Sequence, residues 1–371
     1  MGRKQSCCWG ILGAADIARK NWQAIARSGN GHIKAVASRS SDRAAALIST
    51  CEKSVPFEQQ VQPVEGYENL LADPKIDAVY IPLPTVVRDH WATAAIEAGK
   101  HVLIEKPCST SAQQLRKIID AAAARNLQVM DGVMFTHSKR FAGLMDAIHK
   151  ERVVGDVRRI ASQFTFCADS EWASSNIRCN SRFEPFGALG DLGWYSIRIA
   201  LAAMGEKLPV QVIGRSLKTH QHPDADQSVP IEFDGTLIFE GNVTASLYCS
   251  FTAELQQWTN ISGSEGQITI EDFVLPFHGR PPQFEIVKSR FNTETCDFIM
   301  HRQGQIVSFD ETANSAADSQ EAQLFRDFNN CVLSGTADSL WPKASINTQI
   351  VLDALLHSAK EDRPIELSNK E

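Results

Sequence analysis

A run of small residues follows the first apolar stretch of the chain and could bind a phosphate group. Gly13, Ala15 and Ala18 occupy the small-residue positions of GAADIA, a variant of the dinucleotide fingerprint G-x-G-x-x-[GA]. Small residues there permit a tight turn, let pyrophosphate approach backbone N–H groups, and allow close helix–sheet packing. We predict cofactor contacts from this turn, at Gly13, Ala15, Asp16 and Ile17. A strand-to-helix turn in any α/β protein would show the same pattern.

The end of the second apolar run carries hydrogen-bond donors rather than a carboxylate. A fold specific for NAD places an Asp or Glu there, on the adenosine ribose. The donors here are Ser38, Arg39, Ser40 and Arg43. Hydroxyl and guanidinium groups suit a 2′-phosphate, so we predict NADP in preference to NAD. The alternative for Arg39 is a solvated charge in a loop.

Short apolar runs that alternate with amphipathic helices must position these turns. The runs cover 8–12, 33–37, 78–82, 101–104 and 127–130, and each is apolar enough for a strand buried on both faces. Helices are predicted over 87–98 and from Ser111, which forms a capping box with Gln114. This βαβ order predicts a doubly wound parallel sheet in an α/β domain over residues 1–134.

From residue 157 the apolar period changes to two, which is typical of strands with one buried face. Ile160 and Phe164 share one side of such a strand, and the same alternation recurs over 243–251. We therefore expect an α+β domain over residues 135–371 with a large, mostly antiparallel open sheet. Its helices are predicted over 140–150, 190–203, 321–333 and 345–360.

Three further segments carry a resemblance to a known family. They are PLPT at 82–85, AGKHVLIEKP at 98–107 and GALGDLGWY at 187–195. Together with the glycine turn, they make the chain resemble the glucose–fructose oxidoreductase / inositol dehydrogenase (Gfo/Idh/MocA) family over nearly its whole length. Within it, the chain is most similar to plant-type uncharacterised oxidoreductases, NADP-dependent D-xylose dehydrogenases and dimeric dihydrodiol dehydrogenases.

The resemblance implies a Rossmann domain, an open-sheet domain and a site between them. It implies a homodimer formed through the free face of the sheet. The family pattern adds Leu83, Pro84, Glu105 and Lys106 to the predicted cofactor contacts. It also implies a catalytic group made of Lys106, Asp191 and Tyr195, and a cis peptide bond between Lys106 and Pro107.

This catalytic group suits the oxidation of an alcohol, because a hydroxyl proton must leave while hydride goes to nicotinamide C4. A tyrosine with a pKa of about 10 is a poor base, and a nearby Lys106 cation would favour the phenolate of Tyr195. Asp191 is four residues before Tyr195, which places both on one side of a helix. Asp191 could then orient Lys106 or the substrate.

Three residues are predicted to contact the substrate, and each has a structural alternative. His137 lines the pocket or is a half-buried histidine with its own partners. Arg178 binds a sugar hydroxyl or an acidic group, or forms an ion pair that fixes its loop. Trp194 faces the sugar or belongs to the core. The family's frequent histidine after the P-x-P-[NT] loop corresponds to Arg88, with His90 two residues further on.

Composition excludes several kinds of partner. The 371 residues carry a net charge of −7 with both signs interspersed, so we expect no nucleic-acid partner. No apolar run approaches the roughly 18 residues of a membrane span. The nine cysteines are scattered and never spaced as C-x-x-C, which predicts neither disulfides nor a metal site. A reducing compartment, the cytosol, is expected.

The first residues also fit the myristoylation pattern M-G-x-x-x-[ST] through Gly2 and Ser6, and Cys7 and Cys8 could carry a second lipid. Arg3 directly after the glycine, and the apolar run that follows the cysteines, favour a buried strand instead. We predict the strand.

These features predict an NADP-dependent dehydrogenase that acts on the CH–OH group of a sugar, polyol or dihydrodiol-like alcohol. The alternative is a nucleotide-sensing regulator or binding protein on the same scaffold, which loss of Lys106 or Tyr195 would have favoured. A glycosidase that uses nicotinamide transiently would be expected to carry a histidine in place of Tyr195.

Overall fold

The computed structural model describes residues 5–313 and 316–367 of the chain, so Gly2, the residue of the myristoylation pattern, lies outside the described residues. The chain folds into two compact units. Of the described residues, unit 1 contains 5–137, 182–185 and 316–350, and unit 2 contains 138–181, 186–313 and 351–367.

Unit 1 is built on a six-stranded parallel sheet with the order β3-β2-β1-β4-β5-β6. The strands are β1 (Cys7–Leu12), β2 (Gly31–Ser38), β3 (Gln62–Glu65), β4 (Ala78–Ile81), β5 (His101–Ile104) and β6 (Val129–Asp131). The predicted α/β Rossmann fold is confirmed, and Cys7 and Cys8 are buried in β1 as a strand requires. Strand β3 was not predicted, because an edge strand of sequence QPVE has no apolar run to mark it.

Ten α-helices accompany the strands within the described residues. They are α1 (Ile17–Ser28), α2 (Ser41–Glu52), α3 (Tyr67–Leu71), α4 (Thr85–Glu97), α5 (Ala112–Ala123), α6 (Lys139–Met145), α7 (Ser170–Ser175), α8 (Trp194–Ala203), α9 (Gln320–Ser334) and α10 (Leu340–Glu361). The predicted cap of α5 is present, since the Ser111 side chain accepts a hydrogen bond from the Gln114 N–H. Residues 340–350 of α10 belong to unit 1 and residues 351–361 to unit 2.

Helix α9 belongs to unit 1 although it lies far along the chain. The Trp9 ring of β1 packs against Phe325 and Phe328, with ring centroids 5.3 and 4.9 Å away. The Trp9 indole N–H donates to Asn329 Oδ1 at 2.8 Å. The division of the chain into residues 1–134 and 135–371 stays a prediction. The grouping observed here differs from it because α9 carries apolar and polar partners for β1.

Unit 2 is built on a nine-stranded sheet with the order β14-β13-β12-β11-β7-β10-β9-β8-β15. The strands are β7 (Val157–Cys167), β8 (Gln211–His220), β9 (Val229–Ile238), β10 (Thr244–Ser250), β11 (Thr252–Gly263), β12 (Gln267–Ile270), β13 (Gln283–Glu294), β14 (Asp297–Ser308) and β15 (Ile365–Glu366). Strands β7 and β10 pair in parallel, and the other paired strands of this sheet are antiparallel. The predicted open, mostly antiparallel sheet is confirmed.

One face of this sheet is buried and the other is partly exposed. Ile160 and Phe164 are buried, as their spacing predicts. Gly235 lies against Leu355 of α10 on the buried face.

Two predicted helices begin or end in a wider π turn: 146–150 follows α6, and 189–193 precedes α8. Hydrophobic periodicity does not distinguish such a turn from an α-helix, since both keep the same side buried.

Two findings concern membrane insertion and metal binding, neither of which the sequence predicts. No helix of the described residues is both long and apolar enough to cross a membrane. The same residues contain no group of three or more His, Cys, Asp or Glu side chains that could hold a metal ion.

Replacing Asn329 with leucine tests the contact between α9 and β1. Asn329 accepts from Trp9 and donates to Ser28 Oγ and Asn30 Oδ1 at 3.2 and 2.8 Å. Leucine leaves these buried partners unsatisfied, so Asn329→Leu should lower the free energy of unfolding by about 2–3 kcal/mol. The control Asn330→Leu, at the exposed neighbour, loses only an exposed hydrogen bond from Asn30 Nδ2 at 3.0 Å and should change it by less than about 0.5 kcal/mol. Urea unfolding measures both, and equal losses would contradict the packing described.

Candidate active site

The turn after β1 has the geometry that a bound pyrophosphate requires. Gly13 has φ +116°, and a Cβ atom there would lie 2.8 Å from Leu83 Cδ2. Only glycine meets both conditions without strain. Ala18 is fully buried, as close packing of α1 on the sheet demands, whereas Asp16 and Ile17 are exposed. The backbone of this turn is therefore open on its outer side, and the residues present fit a dinucleotide.

Two arginines flank the neighbouring turn at the end of β2. Arg39 and Arg43 are exposed, and the Ser40 side chain caps α2 by accepting from the Arg43 N–H at 3.4 Å. Ser38 is buried, and its carbonyl accepts from the Gly66 N–H at 2.9 Å. No carboxylate occupies the segment 37–41 where an NAD-specific fold would have one.

Tyr67, which the sequence did not single out, joins these two turns. Its hydroxyl oxygen is 3.9 Å from the position of a Cβ on Gly13. Burial raises the pKa of the Tyr67 phenol, and the Arg39 and Arg43 cations oppose that rise. The charges of both arginines therefore act on this ring. Tyr67 begins a short helix after Gly66, and no sequence motif marks this position as part of a site.

The Lys106–Pro107 peptide bond is cis, as predicted. The preceding residue, Glu105, is buried, and its carboxylate accepts from the Tyr80 hydroxyl at 2.6 Å and from Asn21 Nδ2 at 3.3 Å. Burial, followed by the Glu105 charge, raises the pKa of Tyr80 well above its ordinary value. Tyr80 thus stays a neutral donor to Glu105. Lys106 itself is half-buried.

Leu83 and Pro84 lie in the turn between β4 and α4. Leu83 is buried against Gly13, and Pro84 precedes the first residue of the helix. The Leu83 carbonyl accepts from Arg88 Nε at 2.6 Å, so the residue in the histidine position of the family is a buried arginine that holds this turn. His90 is on the outer part of the same helix, beside Trp91.

In unit 2, Asp191 lies in the π turn before α8, and Tyr195 in the first turn of that helix. Asp191 Oδ2 pairs with Arg178 Nε at 3.0 Å. The Tyr195 ring meets Phe164 edge-on, with ring centroids 5.6 Å apart. Cys179 is beside the ion pair: burial raises the pKa of its thiol to about 11, with Asp191 adding to the rise and Arg178 opposing it.

The three predicted substrate residues lie in different surroundings in the structure. Arg178 forms the ion pair that was its structural alternative, with 43% of its side chain exposed against 16% for Asp191. His137 Nδ1 lies 2.7 Å from Asp327 Oδ2, and its ring stacks on Trp341 at 4.3 Å. Trp194 has 0% exposure, which favours its place in the core.

Two family models cover most of the chain. Residues 8–133 match the oxidoreductase family with an NAD-binding Rossmann fold, and residues 144–269 match the GFO/IDH/MocA C-terminal domain. The dTDP-3,4-didehydro-2,6-dideoxy-alpha-D-glucose 3-reductase of Actinomadura kijaniata is 30% identical over 354 residues, 95% of each chain. The chain belongs to the Gfo/Idh/MocA oxidoreductase family.

Other members of the Gfo/Idh/MocA family match over similar lengths. The NADP(+)-dependent D-xylose 1-dehydrogenase 2 of Haloferax volcanii is 26% identical, with 97% of this chain and 99% of the relative covered. The crystal structure of a 3-ketoreductase from Actinomadura kijaniata in complex with NADP and TDP-benzene has a TM-score of 0.76 at 28% identity, covering 95% of this chain and 98% of that one. As a family member, the protein is an oxidoreductase.

A single added methyl group tests the glycine turn of this Gfo/Idh/MocA protein. Gly13→Ala should weaken dinucleotide binding by at least about tenfold, because the strained turn must move away from Leu83. Gly29→Ala is the control, since Gly29 also has positive φ, at +78°, but nothing within 4 Å of an added Cβ. Fluorescence titration with cofactor measures both. Unchanged affinity in Gly13→Ala would contradict the assignment of this turn.

Proposed function

We propose that the enzyme uses NADP and acts on a hydroxyl or keto group of a sugar, polyol or dihydrodiol-like substrate. The observation that carries the cofactor choice is the pair of exposed arginines directly after β2, Arg39 and Arg43, with no carboxylate over residues 37–41. Two guanidinium groups at that place favour the extra phosphate of NADP. The named cofactor of the Haloferax relative agrees with this choice.

The relatives narrow the substrate class. By name, they act on a dTDP-linked keto sugar or on D-xylose, which supports a sugar-like substrate here. None of these relatives favours the regulator alternative, and Lys106 and Tyr195 are both present. A screen should offer NADP with aldoses, inositols and dihydrodiols, and NADPH with nucleotide-linked keto sugars. Net formation or consumption of NADPH identifies a dehydrogenase; turnover without it would favour the glycosidase.

We propose catalytic roles for Lys106, Tyr195 and Asp191. The nicotinamide, when bound, accepts hydride from the carbinol carbon or returns it. The Tyr195 phenolate takes the hydroxyl proton during oxidation, and the Lys106 cation favours that phenolate. Asp191 forms an ion pair with Arg178 at 3.0 Å. We therefore propose that these two side chains together orient the substrate.

Charge reversal at Arg39 tests the cofactor choice. Arg39→Asp should weaken NADP binding by some tens to a hundredfold, because a charged contact worth about 2–3 kcal/mol is lost, and should leave NAD binding nearly unchanged. Arg27→Asp makes the same change of net charge at another exposed arginine of unit 1 and should affect neither. Calorimetric titration measures the affinities of the wild type and of both variants for NAD and for NADP. Equal binding of NAD and NADP by the wild type would contradict the proposal.

Loss of one hydroxyl tests the proton transfer. Tyr195→Phe should keep NADP affinity while kcat falls by about 10²–10⁴, the usual effect of removing a positioned acid–base group. Lys106→Ala should lose a similar factor, and the double variant little more, because the two act as a unit. Tyr248→Phe removes a tyrosine hydroxyl that donates to Glu232 in the sheet and should leave kcat unchanged. A Tyr195→Phe enzyme with normal kcat would point to Asp191, His137 or water as the base.

We also propose a homodimer formed through the partly exposed face of the unit 2 sheet, in a reducing compartment, the cytosol. Strands β13 and β14 form a long hairpin on which Phe291 opposes Met300. Both are exposed, as is Phe298 on the same face, and apolar surface of this kind favours a partner. The nine cysteines are scattered and never spaced as C-x-x-C, which favours a reducing compartment. Light scattering of the purified chain measures its mass and distinguishes dimer from monomer.

A further inference from the structure

Arg88 connects two turns of unit 1 that the sequence treats separately. Its side chain is buried, and Nε donates to the Leu83 carbonyl at 2.6 Å. Nη1 donates to Thr85 Oγ1 at 2.9 Å and to the Pro107 carbonyl. Leu83 is in the turn after β4, whereas Pro107 follows β5. One guanidinium therefore joins the turn against Gly13 to the residue that directly follows Lys106.

A carboxylate with 13% of its side chain exposed balances the charge of this arginine. Glu184 Oε1 lies 3.7 Å from Arg88 Nη2. The same carboxylate accepts from the Thr85 N–H at 3.1 Å and from the Thr85 hydroxyl. The buried cation thus has a counter-ion in addition to its neutral acceptors, as a stable buried charge requires. Two roles for Arg88 follow: neutralising Glu184, or holding the two turns.

The shape of the side chain favours the second role. A guanidinium presents N–H groups from several atoms in one rigid plane, so Nε and Nη1 can bind carbonyls of different turns at once. An imidazole, the group frequent in the family at this position, has two ring nitrogens that point in different directions. A lysine ammonium is a single point at the end of a flexible chain. Neutralising Glu184 would need only a positive charge, whereas bridging Leu83 and Pro107 needs the fork.

Lys106 is consequently held on both sides by buried hydrogen bonds. Before it, the Glu105 carboxylate is fixed by Tyr80 and Asn21. After it, the Pro107 carbonyl is fixed by Arg88. With both neighbours held, the Cα atom of Lys106 has little freedom to shift. The lysine side chain therefore extends from one defined backbone position.

We propose that Arg88 is a positioning residue that sets the place of Lys106 by tying the Pro107 carbonyl to the turn at Leu83. This role rests on the function proposed for Lys106. A displacement of about 1 Å at a reacting group can cost about a hundredfold in rate. Loss of the fork should therefore lower kcat by a larger factor than it raises the KM for NADP, because the arginine pair at the end of β2 is untouched.

Three variants separate the two roles. Arg88→Lys keeps the charge and loses the fork, and kcat should fall about ten- to a hundredfold. Arg88→Gln loses both and leaves Glu184 uncompensated, so its melting temperature should fall as well. The double variant Arg88→Gln with Glu184→Gln removes the unpaired charge. It should recover melting temperature relative to Arg88→Gln but stay as slow as Arg88→Lys when kcat is measured well below every melting temperature.

A chemical readout tests the proposal without the substrate. The rate at which trinitrobenzenesulfonate modifies the Lys106 amine, followed by peptide mass spectrometry, should change severalfold in Arg88→Lys and in the double variant. Modification of Lys117, an exposed lysine on α5, is the internal control and should not change. If the wild type shows no NADP-linked turnover, the proposed function fails, yet this readout still shows whether Arg88 sets the place of Lys106.

Two results would overturn the proposal. A double variant that regains both melting temperature and kcat would show that Arg88 only neutralises Glu184. Normal kcat and an unchanged Lys106 modification rate in Arg88→Lys would show that a positive charge suffices and that the fork plays no part.

Discussion

Parallel pairing of the strands in unit 1 is the constraint on which its chemistry depends. Because β1, β2, β4 and β5 run in one direction, the turns that follow them meet at the same edge of the sheet. Each turn contributes one of the groups that we propose for cofactor binding and catalysis: the glycine turn, cationic side chains, the Leu83 turn and the Lys106 segment. None of these turns is regular structure, so each needs side chains to fix it.

Those side chains are buried polar groups rather than apolar ones. Tyr80 and Asn21 satisfy the Glu105 carboxylate, and Arg88 donates to the Leu83 and Pro107 carbonyls. Buried polar groups are costly unless all of their hydrogen bonds are made, and a network that makes them is rigid for the same reason. The precision required at Lys106 can therefore come from groups that never touch a substrate.

Periodicity and turn chemistry predicted most of the framework. Strands buried on both faces, the Ser111 cap and the period of two in β7 all depend on short stretches of chain, which a sequence displays directly. Strand β3 has no apolar run of its own, and the place of α9 depends on partners far along the chain. The same distinction applies to the site. The need for glycine at Gly13 comes from the local turn, whereas Tyr67 and the acceptors of Arg88 are brought near their partners by folding. Trp194 and Tyr195 are neighbours in sequence and are both buried, with 0% and 7% exposure, so burial alone does not distinguish a core aromatic from a candidate base.

The central claim is hydride transfer between NADPH and a carbon of a sugar-like substrate. It is tested most directly with NADPH that carries deuterium at nicotinamide C4, incubated with the enzyme and a keto sugar that it consumes. The account predicts that deuterium appears on the new carbinol carbon of the product, as measured by NMR and mass spectrometry. Absence of deuterium from the carbinol carbon with both the 4R-labelled and the 4S-labelled cofactor would contradict the account.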